Sequence, residues 1–239
     1  MASQLELNQY FNHDFGFKFN GNTITFGDRQ FVINSPLNKK LAVIKELWII
    51  LLELKLIDSI NWLYVFTDGS ATKNGKADVA ARGGFYIELS INSLGKEVIN
   101  PFKTYYNVQY VKGYEYTLNE KIEVSSVEVN PSNNRGELLG ICLAFYHLRS
   151  LSKIIKLNKV LIITDSMYSI NTIGSYYPKR LKNGTEKELA NSDLLAIAHM
   201  LNNYEFEHIR SHKDQPCVCI CDKLRKWKGN SIIDSLVSI

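Results

Sequence analysis

Residues 63–75 read LYVFTDGSATKNG, and this stretch decides how the chain is organised. An apolar run from Leu63 to Phe66 leads directly into Asp68, and a polar loop follows before a second apolar run begins at Gly84. A buried lone carboxylate is costly unless something pairs with it. Asp68 therefore either starts an Asp-Gly turn or belongs to a group of acids that bind a metal ion, and the rest of the chain must decide.

The composition is that of a globular protein with a substantial core. Hydrophobic residues make up 45% of the 239 residues and charged residues 22%, which is ordinary for a folded domain. The most apolar stretch, LWIILLELKLI, carries Glu53 and Lys55, which favours a buried helix over a membrane span. Residues 1–20 lack the features of a secretory signal, and the four cysteines do not suggest a secreted disulfide framework. We therefore expect an intracellular protein in a reducing compartment, with no membrane partner.

The first 61 residues differ from the rest of the chain. Apolar and polar residues alternate there around glycine-containing turns, which predicts a small β-meander, and Ser35-Pro36 predicts the start of a helix that runs to about Leu56. Residues 1–61 have no net charge, so the whole net charge of +4 lies in residues 62–239. Because nucleic-acid-binding accessory domains are usually basic, we expect this region to dock a protein partner or to complete the core.

Residues 62–239 predict a second domain of the α/β class. Several strand-like runs come first, and alternating helices and strands follow, which indicates a mixed sheet. The interval between Asp68 and the first helix is long and predicts an additional or elongated hairpin within residues 92–120. The predicted strands cover residues 63–67, 84–90, 97–108, 121–128, 160–164 and 205–210, and the predicted helices cover 134–150, 168–174, 191–203 and 230–237.

Three further acids repeat the situation of Asp68. Asp165 ends the most apolar strand, Glu137 lies one turn into a helix beside its apolar face, and Asp234 lies in the terminal helix. Clustered carboxylates repel one another and raise each other's pKa, so a fold keeps such a cluster when cations neutralise it. Oxygen ligands select Mg²⁺ or Mn²⁺. Two such ions about 4 Å apart can stabilise the attacking oxygen and the leaving oxygen of an in-line phosphoryl displacement.

Four motifs resemble type 1 ribonuclease H in order and character. They are TDGSATKNG with the later Gly83-Gly84, NNRGEL, TDSMYSINTI, and Ser211-His212 followed by GN-x-x-x-D. The resemblance covers residues 62–237 and implies an RNase H-like mixed five-stranded sheet flanked by helices. It also implies an endoribonuclease that cleaves the RNA strand of RNA–DNA hybrids with two Mg²⁺ ions, which Mn²⁺ can replace.

The resemblance also implies roles for individual residues. Four of them, Asp68, Glu137, Asp165 and Asp234, match the family's metal-binding carboxylates, and His212 matches a mobile-loop histidine that assists proton transfer or product release. Substrate contacts are implied for a further set: Gly69, Ser70, Asn133 and Asn134, and more weakly Ser132, Asn191 and Asn74. The ordinary alternative is helix capping, by Ser132 or Asn133 in one helix and by Asn191 in another.

Two segments differ from the family pattern. One is a cysteine cluster that the pattern lacks, and the other is a shortened form of a basic protrusion. Cys217, Cys219 and Cys221 alternate, and with His212 or His208 they could bind Zn²⁺, although free thiols are the favoured interpretation. The tract YYPKRLKNG (residues 176–184) resembles a shortened basic protrusion that grips substrate, in which Tyr176 and Tyr177 could pack on sugars.

Two other functions stay open for this sequence. One is another polynucleotidyl transferase, such as a junction resolvase or a transposase, but NNRGEL and TDSMY favour ribonuclease H. The other is a nucleic-acid-binding module that kept the fold and lost catalysis. Retention of all four acids argues against that module.

Overall fold

The computed structural model describes residues 6–72, 80–111, 114–117, 131–157, 159–201, 203–210 and 222–238. Two compact units are present. The first comprises Met1–Leu63, Ile87–Thr104 and Arg149–Lys159, and the second comprises Tyr64–Tyr86, Tyr105–Leu148 and Val160–Ile239. The domain boundary between residues 61 and 62 stays a prediction.

The predicted β-meander is present in the first unit. Strands β1 (Lys18–Asn20), β2 (Thr23–Phe26) and β3 (Arg29–Val32) pair antiparallel in that order. Gly21 and Gly27 occupy the two turns with φ of 58° and 56°, a left-handed conformation that glycine adopts without steric cost. The alternation of apolar and polar residues was therefore a sufficient signal for this small sheet.

Helix α1 covers Lys40–Glu53, so the prediction that it begins at Ser35-Pro36 is wrong. The backbone N–H groups of Asn34 and Ser35 donate to the two carboxylate oxygens of Glu46 at 2.7 and 2.8 Å. A carboxylate one and a half turns into the helix thus holds this segment in place. Ser35 consequently precedes the helix instead of capping it.

The N-terminal residues contribute to the core of the first unit. Trp48 of α1 is only 1% exposed, and its ring lies 5.1 Å from that of Phe102. Phe11 forms an isolated antiparallel β-bridge with Phe102, and the N–H of Asn12 donates to the carbonyl oxygen of Pro101 at 3.0 Å. These interactions favour the core-completing role of residues 1–61, while docking of a protein partner stays a prediction.

The described part of the chain forms a seven-stranded mixed sheet, two strands more than predicted. The sheet order is β10-β9-β4-β5-β7-β8, with β6 paired to β5. Strands β9 and β10 are parallel, and β5 is antiparallel to both β6 and β7. The strands are β4 (Ser59–Thr72), β5 (Ala80–Ser93), β6 (Lys96–Ile99), β7 (Tyr105–Val111), β8 (Tyr114–Thr117), β9 (Val160–Thr164) and β10 (Glu205–His208).

The extra strands arise where one run of residues was predicted to be continuous. The run 97–108 is divided between β6 and β7, because Asn100 adopts a left-handed φ of 48° and Pro101, which cannot donate a ladder hydrogen bond, follows it. Strands β7 and β8 form the hairpin predicted within residues 92–120. The predicted strand 121–128 lies outside the described residues.

Helices flank this sheet. They are α2 (Asn133–Ser152), α3 (Met167–Asn171), which continues through a π-helical turn (Thr172–Tyr176) into α4 (Tyr177–Lys182), α5 (Ser192–Ala198) and α6 (Asp222–Val237). Short 3₁₀ segments cover Leu7–Tyr10, Glu186–Glu188 and His199–Leu201. Within the described ranges, no helix combines the length and apolar character needed to cross a membrane. Helix α6 begins eight residues before the predicted position 230 and is therefore longer than expected.

Candidate metal centre

Asp68 lies inside β4, four residues before that strand ends at Thr72, so the prediction that the strand ends at Asp68 is wrong. Leu63, Val65 and Phe66 of β4 are buried, and Asp68 itself is 4% exposed. Its Oδ1 accepts a hydrogen bond from the backbone N–H of Gly69 at 2.7 Å. One oxygen of the Asp68 carboxylate is therefore held by the backbone of the next residue.

Glu137 reaches the same place because α2 lies unusually close to β4. A Cβ atom on Gly69 would lie 2.1 Å from the backbone nitrogen of Glu137, so only glycine permits this approach. Ser132 caps the helix, since its Oγ accepts from the N–H of Arg135 at 3.2 Å. Gly69 thus has a structural role in seating α2, in addition to the substrate contact that the resemblance implies.

Asp165 directly follows β9, whose residues Ile162, Ile163 and Thr164 are buried. Its side chain is half-buried. The next residue, Ser166, caps α3 by accepting from the N–H of Ser169 at 3.2 Å, which fixes the turn after the strand. The backbone oxygen of Asp165 also lies 3.1 Å from the Nε2 atom of His208.

These three acids form one cluster. A carboxylate oxygen from each of Asp68, Glu137 and Asp165 lies within 4.8 Å of the other two. Asp234, which is half-buried on α6, lies outside this group of three, but its charge contributes to the raised pKa of Asp68. The structure therefore brings three of the four predicted acids together and places the fourth within electrostatic reach.

The electrostatics of the cluster favour protons or cations. Burial first, and the charge of Asp165 second, raise the pKa of Asp68 to about 7. Burial raises the pKa of Glu137 to about 10, with the charges of Asp68 and Asp165 adding to the effect. The Oε2 atom of Glu137 is buried and has no hydrogen-bond partner in the described part of the chain. Buried, like-charged oxygen ligands with an unsatisfied acceptor fit a hard divalent cation such as Mg²⁺.

A second charged site, which the sequence did not reveal, lies two residues before Glu137. The Arg135 guanidinium is buried and donates to both oxygens of Asp193 at 2.8 and 3.1 Å. It also donates to Oδ1 of Asn191 at 3.3 Å. The only sequence signal for this ion pair was the arginine inside NNRGEL. Its acidic partner lies 58 residues further along the chain, where no local pattern links it to Arg135.

The predicted substrate residues of α2 and α5 have different surroundings. Asn133 and Asn134 are exposed at the start of α2, so their side chains are available to a ligand. Ser132 has the capping role that was its alternative. Asn191 occupies the capping position of α5 with a left-handed φ of 60°, but its side chain makes no capping hydrogen bond and accepts from Arg135 instead.

Other predicted residues are engaged elsewhere or lie beyond the described ranges. The hydroxyl of Ser70 donates to the carbonyl oxygen of Val237, so an internal bond already uses its proton. Asn74, His212 and the cysteines Cys217, Cys219 and Cys221 lie outside the described residues. The roles predicted for them, including the Zn²⁺ alternative, stay predictions.

The two tyrosines of the basic tract occupy unlike positions. Tyr176 is 57% exposed and lines a cavity of about 500 Å³ together with Tyr168, Lys179 and Arg180. Tyr177 is buried and packs against the ring of His199 at 5.3 Å. Tyr176 is therefore the one of the pair that a ligand can reach.

Comparison with known proteins identifies the family. The profile described as RNase H matches residues 60–238, which is most of the chain. No curated protein matches the sequence. The chain belongs to the RNase H family, and its mixed sheet flanked by helices is the fold predicted from the motifs.

Solved structures with similar folds have low sequence identity to this chain. LC9-RNase H1, a type 1 RNase H with the type 2 active-site motif, is 17% identical with a TM-score of 0.48, over 75% of this chain and 71% of that one. RNase H1 from the halophilic archaeon Halobacterium salinarum NRC-1 is 11% identical with a TM-score of 0.36, over 63% and 87%. LC11-RNase H1 in complex with an RNA/DNA hybrid is 17% identical with a TM-score of 0.37, over 74% and 99%.

Proposed function

We propose that this member of the RNase H family is an endoribonuclease that hydrolyses the RNA strand of RNA–DNA hybrids. The observation that carries the proposal is the convergence of Asp68, Glu137 and Asp165 within 4.8 Å. They come from a strand, a helix and the end of a second strand. Side chains on rigid elements hold a catalytic geometry better than side chains on loops.

In this proposal the three clustered acids and Asp234 hold two Mg²⁺ ions, or Mn²⁺ in their place. The raised pKa values of Asp68 and Glu137 support it, because bound cations would replace the protons that these carboxylates otherwise retain. When bound, the ions supply positive charge that activates a water molecule and stabilises the departing oxygen. The chain's contribution is to fix the carboxylates and to exclude other water by burial.

Substrate selection in this proposal depends on polar groups near the cluster. Asn133 and Asn134 are exposed four and three residues before Glu137, where they would contact base edges and sugars. A 2′-hydroxyl is the group that distinguishes RNA from DNA at such a site. Lys179 and Arg180, beside Tyr176 in the 500 Å³ cavity, would bind backbone phosphates. His212 would assist proton transfer or product release.

The test is cleavage of an end-labelled RNA–DNA hybrid by wild type and by Asp165→Asn. We expect RNA-strand cleavage with Mg²⁺ that falls at least about a thousandfold in the mutant, since metal-ion stabilisation is worth several kcal/mol. Single-stranded RNA and DNA–DNA duplex serve as substrate controls. Hybrid binding without cleavage, with either Mg²⁺ or Mn²⁺, would contradict the proposal and favour a binding module.

A further inference from the structure

The C-terminal end of α6 is held by three strands of the second unit. The last carbonyl groups of a helix have no partner within the helix. Asn107 of β7 donates from Nδ2 to the carbonyl oxygen of Leu236 at 2.7 Å, and Arg82 of β5 donates from Nη1 to that of Ser238 at 3.2 Å. Ser70 of β4 donates to the intervening carbonyl of Val237. We call these three donors, Ser70, Arg82 and Asn107, the C-terminal clamp.

The rest of α6 is seated on the same sheet. A Cβ atom on Gly229 would lie 2.2 Å from the ring of Phe66, so the helix backbone rests directly on that ring. Further along, Ile233 is buried in one cluster with Phe66. Near the start of the helix, Lys226 forms an ion pair with Glu207 of β10 at 2.7 Å. The helix is therefore fixed at its beginning, in its middle and at its end.

The carbonyl groups that the clamp binds lie about one turn beyond Asp234. They belong to Leu236, Val237 and Ser238, two to four residues after it, and successive residues of an α-helix are separated by about 100° of rotation. A small rotation or withdrawal of the last turn would therefore move the Asp234 carboxylate away from Asp68. The Arg82 guanidinium also places a positive charge at the negative end of the helix dipole, which stabilises the seated position.

We propose that Ser70, Arg82 and Asn107 are positioning residues that fix α6 so that Asp234 acts with Asp68, Glu137 and Asp165 as a cation ligand. This inference rests on the proposed function, because it assumes that a divalent cation binds at the carboxylate cluster. It assigns Ser70 a task different from substrate contact. It also explains how a side chain from outside the three-acid cluster is held near it.

The first experiment measures Mn²⁺ binding to the full chain by electron paramagnetic resonance, in wild type and in Asn107→Ala. We expect the apparent Kd to rise about threefold to tenfold, as loss of one partly buried hydrogen bond predicts. Ser231→Ala is the matched control, because Ser231 is exposed and its hydroxyl donates to the carbonyl oxygen of Trp227 within α6 at 3.0 Å. The control is expected to leave the Kd unchanged.

A double-mutant cycle separates positioning of Asp234 from general loosening of the fold. In an Asp234→Asn background, Asn107→Ala is expected to cause no further loss of Mn²⁺ affinity. An equal loss in both backgrounds overturns the proposal, as does an unchanged Kd in folded Asn107→Ala. Arg82→Met, which removes the donor, with Arg82→Lys as the donor-retaining rescue, provides a second pair if Asn107→Ala does not fold. If the wild-type protein binds no Mn²⁺, both the proposed metal site and the role of the C-terminal clamp are overturned. If wild type binds Mn²⁺ and the clamp substitutions do not weaken that binding, only the role of the clamp is overturned.

Discussion

Two buried charged side chains, Arg135 and Glu137, lie two residues apart at the start of α2. The first has an oppositely charged partner, whereas the second lies among like charges. At Arg135 the guanidinium meets Asp193 in a bidentate ion pair. Burial acts to raise the pKa of Asp193, but the hydrogen bonds and charge of Arg135 outweigh it and hold that pKa below its ordinary value. At Glu137, burial and then the charges of Asp68 and Asp165 raise the pKa to about 10.

The difference supports a structural role for the paired site and the proposed cation-binding role for the carboxylate cluster. A buried charge is normally paired, because its desolvation is otherwise uncompensated, and the Arg135 site follows this rule. The carboxylate cluster gathers like charges instead, and Oε2 of Glu137 lacks a hydrogen-bond partner among the described residues. Such an arrangement is stable only when protons or cations neutralise it, which is the physical basis for assigning the metal centre to this side of the helix.

Breaking the paired site is expected to have the largest effect on folding. Arg135→Gln leaves the half-buried Asp193 charged and without its ion-pair partner, so we expect the free energy of unfolding to fall by about 3 kcal/mol, the lower end of the range for a buried pair. Arg180→Gln is the matched control, since Arg180 pairs with Glu188 at 3.1 Å while both side chains are largely exposed, and it should cost under about 1 kcal/mol. Urea denaturation of both variants measures the two losses, and equal losses would contradict the distinction.

Neutralising the unpaired site is expected to have the opposite effect on stability. The folded-state pKa values of Asp68 and Glu137, about 7 and about 10, lie above the ordinary values of 3.8 and 4.5 for these side chains. The folded protein therefore binds more protons than the unfolded chain above about pH 4, and the stability of the metal-free protein falls as pH rises toward 10. For each extra proton that the folded protein holds, its free energy of unfolding falls by about 1.4 kcal/mol for every unit by which the pH rises.

The variant Glu137→Gln should flatten that pH dependence. We expect thermal denaturation in a chelator to show a Tm that declines from pH 5 to pH 9 in wild type and declines less in the variant. At pH 8 the variant should be more stable than metal-free wild type. Parallel curves for the two proteins would show that Glu137 is not the group that retains the proton.

The sequence predicted the carboxylate cluster better than its surroundings. Asp68 and Asp165 were identifiable because each follows an apolar run of residues, and Glu137 because it lies beside an apolar helical face. These are local patterns. The Arg135–Asp193 pair and the bond from Ser70 to Val237 join residues 58 and 167 positions apart, so no local pattern could predict them.

The same reasoning explains the differences in the fold. The β-meander and the order of strands and helices follow from alternation and turn residues, which act locally. The early start of α6 depends on tertiary contacts, since Lys226 bonds to Glu207 of β10 as well as to Asp222 of its own helix. Helix α1 starts late because Glu46 binds the backbone that precedes it.

The most direct test of the account is the number of protons released when Mg²⁺ binds. Isothermal titration of the metal-free protein at pH 7, in buffers of different ionisation enthalpy, measures this number. We expect release of about one to two protons per chain, because Glu137 and part of Asp68 are protonated before cations replace the protons, and a smaller release in Glu137→Gln. Binding heat that does not depend on the buffer, or the absence of binding, would contradict the claim that this cluster exists to hold cations.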